Sequence, residues 1–199
     1  MQPEFWHDRW ARHQIGFHEA AVNPLLVEHF PALGKLRPGS RVFVPLCGKT
    51  LDIDWLLARG HQVIGVELSE VAVRELHERI GDPEGLDVIV GDLFELTAER
   101  LGPIDAVYDR AALIALPAEM RTRYVAHLKA ITRNAPQLLI TLAYDQSAAD
   151  GPPFSVTDEE VRVHYDDFKC ERLAMRHSTV KGSVPAVETV WRLRPRPAG

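Results

Sequence analysis

Charged side chains lie at the ends of three short apolar runs in the central part of the chain. Glu67, Asp92 and Arg110 occupy these positions, and a Pro45-Leu-Cys-Gly48 turn follows another such run. A carboxylate in such a place accepts hydrogen bonds from ribose hydroxyls or an adenine amino group, and an arginine binds a carboxylate or an electron-rich acceptor. The residue types and their order therefore favour a nucleoside ligand beside an anionic or electron-rich reaction partner.

Each of these residues also has a purely structural explanation, which the residue types alone leave open. Glu67 could be a solvated acid at a strand end, and Asp92 could cap the turn that follows it. Arg110 could form a structural ion pair with the neighbouring Asp109. A ribose-binding acid occurs in both NAD enzymes and adenosylmethionine enzymes, so Glu67 by itself indicates a nucleoside and not a reaction.

The sequence argues against a phosphate-binding loop. Gly48-Lys-Thr50 resembles the end of a P-loop, but that motif needs a glycine five positions earlier, where Phe43 stands. A dinucleotide-binding fingerprint also fails, because this turn holds a single glycine. A nucleoside-triphosphate domain is therefore the weakest interpretation, and it would require triphosphate binding that depends on Lys49. The chain has no G-x-S-x-G motif, which weakens an α/β-hydrolase interpretation.

Aromatic side chains and histidines cluster near the N-terminus. Trp6 and Trp10 lie four residues apart, so they could share one helix face, either as core anchors or as an aromatic wall beside a sulfonium cation. His7, His13 and His18 follow no metal-ligand spacing, so we expect solvated or helix-surface histidines and no metal.

Alternating strands and helices must position these residues. Such alternation predicts right-handed βαβ units and a parallel sheet, and ligands of such sheets bind beyond the carboxyl ends of the strands. The nearly continuous apolar character of the runs is typical of strands covered on both faces. The predicted strands are 41–45, 61–67, 87–91, 104–108 and 138–142, and the predicted helices are 49–58, 69–80 and 117–131.

The two ends of the chain differ from this pattern. Helical spacing from Phe5 to His13 and an Asn23-Pro24 start signal predict two N-terminal helices. A helix over 158–165 and two extended segments, 168–177 and 186–193, predict an antiparallel pair at the sheet edge. We therefore expect one α/β domain over 1–199, with residues 1–35 as a helical lid on a Rossmann-like core over 36–193.

Composition excludes several classes of protein. The 199 residues carry 23 basic and 28 acidic side chains, a formal charge of −5, which argues against a nucleic-acid binder. Two cysteines, Cys47 and Cys170, suit a reducing compartment and form no disulfide framework. No signal peptide and no membrane-spanning apolar run is visible. The sequence predicts a cytoplasmic, monomeric domain without nucleic-acid or membrane partners.

Several motifs occur together in one order between Glu4 and Val161. They are Glu4-Phe-Trp-His-Asp-Arg-Trp10, Ile15-Gly-Phe-His18, Asn23-Pro-Leu-Leu26, Phe43-Val-Pro-Leu-Cys-Gly-Lys-Thr-Leu-Asp52, Gly60-His-Gln-Val-Ile-Gly-Val-Glu-Leu-Ser69, Gly91-Asp-Leu-Phe94, Tyr108-Asp-Arg-Ala-Ala-Leu113, Tyr144-Asp-Gln-Ser147 and Gly151-Pro-Pro-Phe154. With these motifs the chain resembles the thiopurine S-methyltransferase family, particularly its bacterial members. The Pro-Leu-Cys-Gly-Lys turn and the Asp-Arg-Ala-Ala-Leu segment are specific to that family.

The resemblance implies a Rossmann-like methyltransferase fold that binds S-adenosyl-L-methionine and releases S-adenosyl-L-homocysteine. It implies a ribose-binding role for Glu67, an adenine-side role for Asp92, and an acceptor-facing position for Phe17. Arg110 would line both the cofactor and the acceptor pockets and act in catalysis. The cofactor-binding residues implied in this way are Trp6, Trp10, Leu46, Glu67, Asp92, Leu93 and Arg110.

The chain departs from the family pattern at two places. The connector around 81–86 is short where family members carry a longer excursion near the acceptor, and the segment 181–191 matches the pattern poorly. Both bear on the acceptor more than on the cofactor.

The function predicted from the sequence is methyl transfer to the sulfur of a small thiol, such as a thiopurine or aromatic thiol. An acidic heteroaromatic thiol would need no dedicated base, and Arg110 would favour its anion. Two alternatives keep the cofactor: another soft nucleophile, such as halide or a tellurium or selenium species, or a binding protein without catalysis.

Overall fold

The computed structural model describes residues 3–16 and 18–197 of the chain. Its seven strands form one sheet in the order β3-β2-β1-β4-β5-β7-β6. The first five strands are parallel, and β7 and β6 are added in antiparallel orientation. The strands are β1 (Arg41–Pro45), β2 (Gln62–Glu67), β3 (Leu86–Val90), β4 (Ala106–Arg110), β5 (Gln137–Tyr144), β6 (Phe168–Val180) and β7 (Val184–Pro195).

The helices confirm the predicted alternation, with shifts at their ends. The helix expected from residue 49 begins at Asp52, because 48–50 belong to the turn after β1. One short helix over 98–101 was not predicted. The helices are α1 (Pro3–Ala11), α2 (Pro24–His29), α3 (Asp52–Leu57), α4 (Glu70–Ile80), α5 (Ala98–Leu101), α6 (Ala118–Thr132) and α7 (Asp158–His164).

Side-chain caps fix the two helices that approach the ends of β1 and β2. Asn23 caps α2 by accepting a hydrogen bond from the backbone N–H of Leu25, and Pro24 fills the first helical position, as the sequence predicts. Ser69 caps α4 in the same way, through the N–H of Ala72. Both helices therefore start at positions that the local sequence defines.

The core lies on both faces of the sheet. Along β1, Val42 and Val44 pack towards α2, α3 and α4, whereas Phe43 packs towards α6 and α7. This alternation follows from the two-residue period of a strand. It explains why β1 is apolar after Arg41, since from Val42 onwards neither face meets water.

The order of the strands reverses at β1, which pairs with β2 on one side and β4 on the other. Connections leave these two neighbours in opposite directions, so a crevice opens beyond the carboxyl end of β1. Open α/β sheets bind their ligands at this switch point.

A tight contact joins β2 to the turn that follows β1. A Cβ atom built on Gly65 would lie 2.7 Å from Cys47 Sγ, closer than side-chain atoms approach. The sulfur therefore fills the space that a side chain at position 65 would need. Cys47 is buried, as expected for a small apolar residue, and burial raises the pKa of its thiol well above the ordinary value.

Candidate active site

A cleft opens at the switch point, between the ends of β1 and β4 and under the N-terminal segment, by which we mean residues 3–16 and 18–23. It brings together three of the predicted site residues, Trp10, Leu46 and Arg110. Its lining consists of Trp10, His18, Val44, Leu46, Cys47, Gly48, Lys49, Thr50, Asp52, Tyr108, Arg110 and Ala111.

The turn after β1 exposes its backbone to the cleft. Leu46 and Gly48 both have a left-handed backbone, with φ values of 46° and 51°. That conformation is uncommon for leucine, and such local strain is often found at ligand-binding sites. The turn is anchored at its rear, because Cys47 N–H donates to the carbonyl of Val66 at 3.0 Å.

Glu67 is buried at the end of β2 and joins this turn to α4. Its Oε2 accepts a hydrogen bond from Gly48 N–H at 2.9 Å, and its Oε1 accepts one from Ser69 N–H at 2.8 Å. Burial raises the pKa of Glu67, and the backbone donors oppose this shift. A carboxylate has about four acceptor sites, so both oxygens keep capacity for a further donor.

Trp10 covers the same turn from α1. Its indole ring is buried, with a ring carbon 3.0 Å from the place of a Cβ atom on Gly48. The Lys49 ammonium lies 5.9 Å from the ring centre and also pairs with Glu75 of α4 at 2.6 Å. Trp6 is half-buried, packs edge-to-face on Phe5, and is not among the lining residues in the described part of the chain.

Asp92 and Leu93 lie beyond the end of β3, outside this lining. Asp92 caps a short 3₁₀ turn by accepting a hydrogen bond from Phe94 N–H at 2.8 Å, which is the structural role that the sequence left open. The Leu93 side chain is buried in the core, and its carbonyl contacts His127 Nε2 at 2.8 Å. The backbone N–H of Leu93 begins the turn, where a helical partner is lacking.

Arg110 forms an ion pair with Glu19 from the N-terminal segment, not with Asp109. The two neighbours separate because successive side chains of a strand point to opposite faces. Glu19 is held from its other side by Asn23 Nδ2, which donates to Oε2 at 3.4 Å. The cleft therefore presents a guanidinium whose charge is balanced by the partly exposed carboxylate of Glu19.

A buried network connects this pair back to β4. The Tyr108 hydroxyl donates to Asp52 Oδ2 at 2.9 Å, and Asn23 N–H donates to Asp52 Oδ1 at 2.8 Å. All three residues are almost completely buried. Glu19 contacts both Asn23 and Arg110, so these bonds run from Tyr108 of β4 through the N-terminal segment and back to Arg110 of the same strand. They fix the N-terminal segment against the site. Sequence reasoning missed Glu19 and Asp52 as site residues.

His18 also lines the cleft, although the sequence placed it among surface histidines. It is half-buried, and burial together with the positive charges of Lys49, Arg79 and Arg110 lowers the pKa of its imidazole. Phe17, predicted to face the acceptor, lies outside the described residues. Within residues 3–16 and 18–197, no cluster of three or more His, Cys, Asp or Glu residues suits a metal ion.

Asp109 points away from the cleft into the core beneath α6. It accepts hydrogen bonds from the Tyr124 hydroxyl at 2.7 Å and from Leu113 N–H at 3.2 Å. Burial raises its pKa to about 6, and the Tyr124 bond lowers it. The folded pKa exceeds the unfolded one, so ionisation of Asp109 reduces stability as the pH rises towards 6.

Tyr124→Phe is expected to destabilise the protein more at pH 8 than at pH 5. The hydroxyl stabilises the ionised carboxylate of Asp109 more than the protonated form. Its loss therefore raises the pKa of Asp109 further and costs more stability where Asp109 is ionised. We expect a cost of about 2–3 kcal/mol at pH 8 and about 1 kcal/mol at pH 5. Denaturant-induced unfolding of wild type and variant at both pH values measures this loss in the free energy of unfolding.

Tyr165→Phe is the matched control for this prediction. Its hydroxyl donates to the neutral amide of Gln137 at 3.1 Å, so its cost should be the same at both pH values. An equal cost of Tyr124→Phe at pH 5 and pH 8 would contradict the assignment of Asp109.

Among the helices of the described ranges, none combines the length and apolar character needed to cross a membrane.

Solved structures of methyltransferases share this fold. A Burkholderia thailandensis 1,6-didemethyltoxoflavin-N1-methyltransferase, solved with S-adenosylhomocysteine, is 18% identical with a TM-score of 0.71, over 98% of this chain and 87% of that one. A Synechocystis magnesium protoporphyrin IX methyltransferase gives 18% identity and a TM-score of 0.63, over 94% and 98% of the two chains. At this identity the likeness concerns the fold, which confirms the predicted Rossmann-like methyltransferase architecture.

Sequence relatives are much closer. A thiopurine S-methyltransferase of Xanthobacter autotrophicus is 51% identical over 212 residues, covering 97% of this chain and 99% of the relative. One from Teredinibacter turnerae is 45% identical over 211 residues and 97% of each chain. The family model of thiopurine S-methyltransferase matches residues 1–190, which includes most of the β6–β7 hairpin. The chain therefore belongs to the thiopurine S-methyltransferase family of S-adenosylmethionine-dependent methyltransferases.

Proposed function

We propose that the protein transfers the methyl group of S-adenosylmethionine to the sulfur of a small thiol, such as a thiopurine or aromatic thiol. Family membership supports the reaction class. The observation that carries the proposal for this chain is that the β1 turn and Arg110 meet in one switch-point cleft, with the Glu67 carboxylate hydrogen-bonded to that turn at Gly48.

The residues present fit an adenosyl cofactor. Glu67 keeps acceptor capacity on both oxygens, which suits the two ribose hydroxyls. The left-handed turn at Leu46 and Gly48 brings backbone to the edge of the cleft, and Trp10 supplies an aromatic face that favours a cation.

We assign the adenine side to the turn after β3. Asp92 would accept from the adenine amino group with the oxygen that does not cap the turn, and Leu93 would donate its backbone N–H. The Leu93 side chain is committed to the core, so its part is confined to the main chain. Trp6 is assigned to the outer part of the lid.

The cofactor supplies an activated methyl group, and the protein supplies orientation and a site that excludes water. Alignment of two bound reactants can lower the barrier by about 7–11 kcal/mol. Arg110 would attract a thiolate and place it beside the β1 turn. In doing so the thiolate would replace Glu19 as the partner of the guanidinium.

Calorimetric titration of the purified chain with S-adenosylmethionine tests the cofactor assignment, with ATP and NAD as controls. Selective binding of S-adenosylmethionine is expected, and equal or no binding would overturn it. Incubation with a thiopurine and the cofactor should then give the S-methyl product by mass spectrometry. Tight binding without turnover of any thiol would instead indicate a protein that has lost catalysis or that methylates another soft nucleophile.

A further inference from the structure

His18 stands inside the cleft that holds the proposed reaction. It lies next to the Glu19–Arg110 pair along the chain and lines the same space as Arg110 and the β1 turn. No hydrogen bond to its ring occurs among the described residues. A ring nitrogen of neutral imidazole with this freedom can accept a proton.

Three other ionisable groups that line the cleft are bound to other parts of the protein or buried against them. Cys47 is buried against Gly65, and burial raises the pKa of its thiol, so it stays protonated. The Tyr108 hydroxyl donates to Asp52, and burial likewise raises its pKa. Asp52 has one oxygen bonded to Tyr108 and the other to Asn23 N–H. Cys47 and Tyr108 therefore keep their protons, and all three of these side chains are almost completely buried in the wall of the cleft, where a bound thiol does not reach them.

The two cations of the cleft cannot accept a proton either. Lys49 pairs with Glu75, and Arg110 pairs with Glu19. In their charged forms, lysine and arginine side chains have hydrogen-bond donors and no acceptor. Among the titratable side chains that line the cleft in the described ranges, His18 is therefore the one that combines partial exposure with a ring nitrogen able to accept a proton.

The charges around His18 keep the imidazole neutral. Burial lowers its pKa most, and Lys49, Arg79 and Arg110, on the β1 turn, α4 and β4, lower it further. Glu75 of α4 acts in the opposite direction with a smaller effect. At neutral pH the ring is therefore in the form that can act as a base.

We infer that His18 is the general base for thiols that are not already ionised, an inference that rests on the proposed S-methyltransferase function. The sulfur of the bound thiol forms a bond to the methyl carbon as its S–H proton passes to a ring nitrogen of His18. The bond between that methyl and the cofactor sulfur breaks, and its electron pair stays on the cofactor, which becomes a neutral thioether. The imidazolium then releases its proton to water, so atoms and charge balance.

This role predicts that the need for His18 depends on the acidity of the acceptor. A thiol that is ionised in solution brings no proton, so it should react without the base. A weakly acidic thiol must lose its proton at the site, where general base catalysis typically contributes about 10²–10⁴-fold.

The test compares His18→Asn with wild type on 4-nitrothiophenol, which is acidic, and phenylmethanethiol, which is weakly acidic. At pH 7.5, kcat/KM should fall less than about threefold for the first thiol and about 100-fold for the second. With phenylmethanethiol, the wild-type rate should fall in acid as His18 is protonated, whereas the variant rate should follow the ionisation of the thiol itself. His177→Asn, at an exposed site on β6, is the control and should leave both rates unchanged.

An equal loss of kcat/KM on both thiols would overturn the role of His18. So would a pH profile of the variant with phenylmethanethiol that matches the wild-type profile. Unaltered cofactor affinity of the variant by calorimetry confirms that the site is folded. If wild type methylates neither thiol while binding the cofactor, the proposed function itself fails. Methylation of both thiols by wild type, with equal sensitivity to His18→Asn, overturns the inference alone.

Discussion

Replacing Glu67 with alanine is expected to raise the dissociation constant of S-adenosylmethionine about 100-fold or more. Two hydrogen bonds from ribose hydroxyls to a carboxylate contribute about 1.5 kcal/mol or more each, and 1.4 kcal/mol is a factor of ten in affinity. The variant also leaves Gly48 N–H and Ser69 N–H without their partner, so the β1 turn loses its anchor. Isothermal titration calorimetry measures the loss directly.

Two further variants isolate the ribose contacts from damage to the turn. Glu70→Ala removes an exposed acid three residues away and should leave affinity unchanged. Glu67→Gln keeps the size of the side chain but turns an amide donor towards one backbone N–H, so we expect an intermediate loss. Unchanged affinity in Glu67→Ala, with an intact thermal transition, would show that Glu67 does not hold the ribose.

Replacing Arg110 with methionine is expected to reduce kcat/KM for a thiolate acceptor about 100-fold, or about 2.7 kcal/mol of transition-state stabilisation. The variant removes the cation that attracts the acceptor, and it also leaves the Glu19 carboxylate without its cationic partner. The remaining carboxylate then repels the anion. Steady-state kinetics with 4-nitrothiophenol measure the effect, and Arg74→Met on the exposed side of α4 is the control.

Glu19→Gln should act in the opposite direction. Without the internal carboxylate, the acceptor no longer competes for Arg110, and KM should fall about fivefold, equivalent to about 1 kcal/mol. In the double variant Glu19→Gln/Arg110→Met, part of the activity lost in Arg110→Met should return, which a double-mutant cycle quantifies. Full activity of Arg110→Met would assign that arginine a structural role.

The parts of the site that local patterns encode were predictable. Glu67 and Arg110 each follow an apolar run, so their places at strand ends could be derived from the sequence. The same holds for Asn23 and Ser69, whose cap signals act within three residues. The predicted start of α3 at residue 49 was wrong, because residues with helical spacing belong to the turn after β1 and the helix begins at Asp52.

The contacts that close the cleft depend on tertiary structure. Asp52 and Tyr108 are 56 residues apart, and Asp52 and Asn23 are 29 apart, so no local pattern announces their pairing. Glu19 and His18 lie in a segment between α1 and α2 without hydrophobic periodicity. Their place in the site depends on the tertiary structure, in which that segment lies across the end of β4.

Positions 47 and 65 are expected to change together in descent. The Cys47 sulfur occupies the volume that a methyl group at Gly65 would need. A lineage that acquires alanine at 65 while the sulfur remains passes through an overpacked protein, at a cost of about 1–3 kcal/mol. If a smaller residue at position 47 appears first, the intermediate protein instead carries a small cavity, which a later alanine at position 65 fills. The order of the two substitutions is therefore constrained by space beside the cofactor turn, and relatives with a side chain at 65 should carry a smaller residue at 47.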